Sequence, residues 1–316
     1  MILTTTIDIP KGPFGFGYEE PIMLMGSCFA ENIGKRLSDN QFKTDLNPFG
    51  TLYNPASVAS ALKRLLHPAP FTTTDLFQQD GVYHSFAHHS RFSSTSEADC
   101  LEQINNRLND SATFLTKASR LIITFGTAYV YQLKSSGEVV ANCHKLPEKL
   151  FERSMLSVET ITEEWQILLQ QLWQHNPLLK VLFTVSPIRH WKDGAHGNQL
   201  SKATLLLVID QLQQRFPKQI HYFPAYELMM DELRDYRFYA DDMLHPSAVA
   251  VEYIWQRMVD TFFSDEAKAF MKAWAPIKRG LAHRPLNPDS AEYKAFHAKL
   301  MADAEALKRR YPDMPF

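Results

Sequence analysis

The chain has 316 residues, 45% of them hydrophobic and 12% aromatic, with a formal net charge of -2. That is enough apolar content to bury a sizeable core, and it excludes a disordered polar chain. The near-neutral balance excludes the polybasic field of a nucleic-acid binder. Three cysteines, Cys28, Cys100 and Cys143, are too few for a disulfide framework and fit a reducing compartment. Residues 1–10 are polar and Thr-rich, unlike a secretory leader, and no stretch is apolar enough to span a bilayer. The expected location is therefore cytoplasmic, with no membrane partner.

In chain order, residues 22–25 form the first short apolar run and read as a buried strand, with a helix expected directly after it over 29–38. A helix over 55–66 opens with Pro55, where the missing N–H costs nothing. Residues 97–118 carry Leu101, Ile104, Leu108 and Phe114 on a helical stripe. A strand over 121–125 follows, then a hairpin over 129–142 with Ser136-Gly137 at its tip. Next come a helix over 162–175, a strand over 181–185, a helix over 201–216, a strand over 221–223 and a helix over 248–262. Residues 276–288 hold three prolines with Lys278, Arg279 and Arg284, and are expected to be a solvated connecting loop. Residues 290–310 place Tyr293, Phe296, Leu300, Ala304 and Leu307 at helical spacing, an amphipathic helix expected to pack back on the domain. The strand–helix alternation implies an α/β fold with a parallel sheet covered on both faces. The expected division is a main domain over 1–275 and a C-terminal loop and helix over 276–316.

Two segments carry chemistry. In the first, the run Ile22 to Met25 leads into Gly26-Ser27-Cys28, then a helix. Gly permits the sharp turn, and free N–H groups at a helix start stabilise a thiolate, an alkoxide or an oxyanion. A thiol in this position beside a histidine is expected to ionise near neutral pH. In the second, Asp242 precedes His245 by three residues, after the last strand and before a helix. That spacing lets the carboxylate hold one imidazole nitrogen while the other faces a nucleophile. Asp193 and His196 share the spacing but fall before the last strand, in what reads as a mobile flap or surface segment. The carboxyl ends of parallel strands share one rim, where a loop after the last strand can return to the first.

Gly26-Ser27-Cys28-Phe29-Ala30 resembles the name-giving motif of the GSCFA family, which is similar to the SGNH/GDSL hydrolases. The likeness runs from the N-terminus to the helix after His245. It implies a three-layer α/β/α fold, flavodoxin-like, with a parallel sheet of about five strands, an inserted hairpin and a C-terminal helix. Four sequence blocks follow from it. Laid without a gap, the first puts Cys28 at the nucleophile position, with Ser27 as the competitor. The second gives Gly50 as an oxyanion-hole N–H. The third retains Gly126 but lacks the usual Asn, for which Asn142, His144 or the Thr127 hydroxyl could stand in. The fourth is Asp242 with His245. The resemblance implies an esterase or acyltransferase acting on a small acyl group, acetyl foremost, of a carbohydrate-like substrate, without a cofactor. The missing Asn supports the alternative, a binding or scaffold protein of the same fold that has lost catalysis.

Other residues join the candidate site. Ser186 to His190 follows the strand over 181–185, so Arg189 is placed to bind a carboxylate or phosphate, or else to pair with a rim acid such as Glu227. His190 is a rival base without a preceding Asp. His84 and His88 are four apart and would share a helix face, but no acid lies in the run, so no metal is expected there. The partner class is a small molecule or glycan.

Overall fold

A computed structural model describes residues 5–312. Among these residues ten strands appear in chain order: β1 (Ile22–Gly26), β2 (Thr44–Leu46), β3 (Phe77–Gln79), β4 (Val82–His84), β5 (Arg120–Phe125), β6 (Tyr129–Leu133), β7 (Val139–Val140), β8 (Phe151–Met155), β9 (Lys180–Val185) and β10 (Ile220–Phe223). The main sheet has the order β10-β9-β5-β1-β2, and every pairing in it is parallel. All five residues of β1 are buried, as are five of six in β5 and β9. Burial on both faces explains why these strands read as unbroken apolar runs. Successive side chains point to opposite layers: Met23 and Met25 enter one core, and Ile22 and Leu24 the other.

The helices cover both faces. Helices α2 (Pro55–Leu66), α3 (Glu97–Lys117), α4 (Val158–His175) and α5 (Gly194–Arg215) pack on the layer of Met23 and Met25. Helix α1 (Cys28–Asp39), the single turn α6 (Ala225–Glu227) and helices α7 (Ala248–Phe262), α8 (Asp265–Leu281) and α9 (Ala291–Arg310) cover the other. The fold is therefore a three-layer α/β/α sandwich with a five-stranded parallel sheet, as expected. From β1 the chain passes to β2 on one side, and it reaches β5 on the other. The topological switch point falls between the carboxyl ends of β1 and β5, where open sheets leave a crevice.

Several expectations change. The hairpin is part of a three-stranded antiparallel sheet, β7-β6-β8, whose third strand was not anticipated. Helix α5 starts at Gly194, so His196 lies within a helix rather than a flap, and Asp193 pairs with Arg153. Residues 276–281 are helical: Pro276 sits inside α8, whose Phe270, Trp274 and Ile277 are buried and hold the helix despite the lost N–H. The connecting loop is shorter, residues 282–290. Leu300, Ala304 and Leu307 of α9 join the same core cluster as Phe270 and Trp274, so this helix does pack back on the sandwich. Among the described residues no helix is long and apolar enough to cross a membrane.

Candidate active site

The turn after β1 is fixed by glycine. Gly26 has φ +133°, and a Cβ there would collide with the Thr124 carbonyl of β5. The Gly26 N–H donates to Asn47 Oδ1 at 2.9 Å, and the Ser27 N–H donates to the Thr124 carbonyl at 3.1 Å. Ser27 is the N-cap of α1: its side chain accepts the Phe29 N–H at 3.3 Å, and it is 0% exposed. Cys28 is the first helical residue and lines a cleft of about 780 Å³. The two candidate nucleophiles thus separate, Ser27 as a buried cap and Cys28 as the one that faces the cleft.

His245 lines the same cleft. Its Nδ1 lies 2.5 Å from Asp242 Oδ2. Asp242 Oδ1 accepts the N–H groups of Leu244 and His245, each at 2.9 Å. These amide donations, followed by the imidazole contact, hold the Asp242 carboxyl down at about 2. The acid is therefore ionised at working pH and holds the ring through Nδ1.

The electrostatics at Cys28 differ from expectation. Burial pushes its thiol above the ordinary value and Glu31 adds to this, against the opposing N–H groups of Cys28 and Phe29 and the cation of Lys202. Desolvation outweighs the helix terminus, so the resting group is the thiol. Lys202 went unrecognised in the sequence. It is 1% exposed, and its Nζ donates to the Gly126 carbonyl at 2.7 Å and the Ser186 carbonyl at 2.9 Å, tying the ends of β5 and β9. Burial brings its pKa down to about 7, partly opposed by Cys28. A lysine inside a helix ordinarily reads as a solvated face, so no sequence signal marked it.

The oxyanion expectations are corrected by the backbone. The Gly50 N–H donates to the Asn47 carbonyl at 2.8 Å, closing a turn, and Gly50 does not line the cleft. The Gly126 N–H donates to the Tyr53 carbonyl at 2.7 Å. Neither amide is open. Cys28 and Thr51 both line the cleft, and their amides donate to no backbone carbonyl among the described residues. Thr127 lines the cleft, but its hydroxyl is engaged with Ser201 at 3.0 Å. Asn142 lines it too, with Oδ1 accepting the His144 N–H. His144 does not line it; its Nε2 meets the Ser85 carbonyl at 2.9 Å.

Arg189 and His190 both line the cleft. Burial, reinforced by Lys202, lowers His190 to about 4, so this ring is neutral and a poor base. Its Nε2 is buried without a partner. Among the described residues no ion pair joins Arg189 to Glu227, whose carboxylate accepts the Tyr222 hydroxyl at 2.7 Å. His84 lies in β4 and His88 in the turn beyond it, so they share no helix face. Among the described residues no group of three or more His, Cys, Asp or Glu side chains is arranged to hold a metal.

The sequence model described as the GSCFA family matches residues 21–258, and that described as the GSCFA domain protein, C-terminal domain, matches residues 274–316. A comparison with curated proteins finds no match. Among solved structures the chain is similar to an acetyl xylan esterase (Est2A) from the rumen bacterium Butyrivibrio proteoclasticus, at 9% identity and a TM-score of 0.38, covering 77% of this chain and 63% of that one. It is also similar to a carbohydrate esterase family 3 protein from Talaromyces cellulolyticus, at 10% identity and a TM-score of 0.36, covering 80% of this chain and 98% of that one.

Proposed function

The chain belongs to the GSCFA family, and from that premise and the cleft geometry we propose a thiol-dependent esterase or acyltransferase that removes a small acyl group, acetyl foremost, from a carbohydrate-like substrate. The observation that supports this is that Cys28, at the start of α1, and the Asp242-held ring of His245 line one cleft. The cleft also carries Tyr129, Tyr131 and Trp191, apolar faces with polar edges of the kind that suit a sugar.

Because the resting group is a thiol, attack needs a base. His245 Nε2 takes the Cys28 proton as Sγ bonds to the ester carbonyl carbon, and Asp242 stabilises the imidazolium. The amides of Cys28 and Thr51 hold the oxyanion. Collapse breaks the ester C–O bond. The imidazolium returns its proton to the leaving alcohol, and the acyl group remains on Cys28 as a thioester. Water, or an acceptor hydroxyl, then gives its proton to His245 and attacks the thioester. The acid or the new ester is released, and the proton returns to the thiol.

Incubation with 4-nitrophenyl acetate tests this reading. The expected result is an acetyl adduct on Cys28 by mass spectrometry and turnover that falls about a hundredfold or more in Cys28→Ala and His245→Ala. Turnover surviving both changes would sink it. One observation favours the alternative, a binding protein of this fold without catalysis: the Gly50 and Gly126 amides are both engaged. That alternative expects no Cys28 adduct with any activated ester.

A further inference from the structure

The cations of the cleft are unequally served. Arg153 pairs with Asp193, and Lys192 with Glu148. Arg189 has no ion pair with any described carboxylate, although its Nε is buried without an acceptor. Its guanidinium carbon lies over the Trp191 ring, 5.4 Å from the ring centre. Its backbone N–H reaches towards the Leu244 carbonyl at 3.5 Å, beside His245. An arginine cannot shed its charge, so its partly buried cation is left to water or to a ligand. The planar fork of a guanidinium matches the two oxygens of a carboxylate or phosphate. Lys145, on the same cleft, likewise pairs with no described acid.

We infer that Arg189 binds an anionic substituent, a carboxylate or a phosphate ester, carried by the sugar whose acyl group is removed. This rests on the cleft being the substrate site proposed above. Arg189 also borders an adjoining groove of about 580 Å³ lined by Trp191, Tyr236 and Tyr239. An anion at this position lies between two open spaces, which fits a charged group on an extended molecule rather than a free ion.

The test uses the full chain with Cys28→Ala, so that binding is measured without turnover. Calorimetry compares methyl glucoside, methyl glucuronide, glucose 6-phosphate, free acetate and inorganic phosphate. Glucuronide, the sugar phosphate or both should bind about tenfold or more tightly than methyl glucoside, a charge-assisted pair being a strong contact. The tighter of the two identifies the substituent. Adding Arg189→Met or Arg189→Gln should abolish the preference, with thermal unfolding checking that each variant folds. Equal binding of neutral and anionic sugars, a preference that survives both Arg189 changes, or free anions binding as tightly as the sugar anions would overturn the inference. Because no ester is cleaved in this assay, its failure is distinct from a failure of the hydrolytic reading, which the Cys28 adduct decides.

Discussion

At the scale of single residues, the chemistry of Cys28 is a contest between burial and neighbouring charge. Burial raises the thiol and Glu31 raises it further, while two helix-terminal amides and Lys202 pull the other way. Lys202 is itself held near neutrality, at about 7, so it can supply positive charge only in part. Replacing it with Met removes that charge and the donors to the Gly126 and Ser186 carbonyls. The expected outcome is a rise in the Cys28 titration midpoint, since a cation that favours its thiolate is gone. The rate of iodoacetamide modification of Cys28 as a function of pH, followed by mass spectrometry of its peptide, measures this directly. A midpoint that stays or falls in Lys202→Met would show that the lysine charge is not felt at the thiol.

At the scale of elements, the strand–turn–helix unit of β1 and α1 carries the site. Its turn exists because residue 26 has no side chain: φ is +133° and the Thr124 carbonyl occupies the place of a Cβ. Gly26→Ala should destabilise the protein by at least about 2 kcal/mol, combining a forbidden backbone region with a clash against main chain that cannot move aside. Chemical denaturation measures it, and a loss under roughly 0.5 kcal/mol would mean that the turn relaxes. This unit was legible in the sequence because its features are local: an apolar run, a glycine that permits the turn and a helix directly after it. The spacing of Asp242 and His245 was legible for the same reason. The amides proposed to hold the oxyanion were not. Asn47 takes a positive φ of 45° and the turn sends the Gly50 N–H to the Asn47 carbonyl, while Thr51 lines the cleft with Cys28. Amide direction is a property of turn geometry, not of residue type. The helical state of residues 276–281 was missed because burial of Trp274 and Ile277 on either side of Pro276 overrode the proline.

At the scale of the whole molecule, two apolar layers share one parallel sheet, and all the proposed chemistry lies at one rim, so the burial that shapes the rim also shapes global stability. Two histidines show this. His88 stacks 4.7 Å from Phe49 and edge-on to Phe71 and Phe92, and burial drives its pKa down to about 3. Burial beside Lys202 takes His190 to about 4. In the unfolded chain both titrate near ~6.5. Between that value and the folded values the unfolded state binds protons that the folded state refuses, so stability falls as pH falls. Above about 6.5 both rings are neutral in either state and the effect vanishes. Each fully displaced histidine adds a slope of about 1.4 kcal/mol per pH unit. Thermal unfolding midpoints should therefore drop from pH 6.5 to pH 4. His88→Leu, which fills the aromatic cage with a group that cannot charge, should flatten that drop whatever it does to stability at pH 7. An unchanged slope in His88→Leu would mean that the ring finds water or an acceptor when protonated, and that its cage opens before the sandwich does.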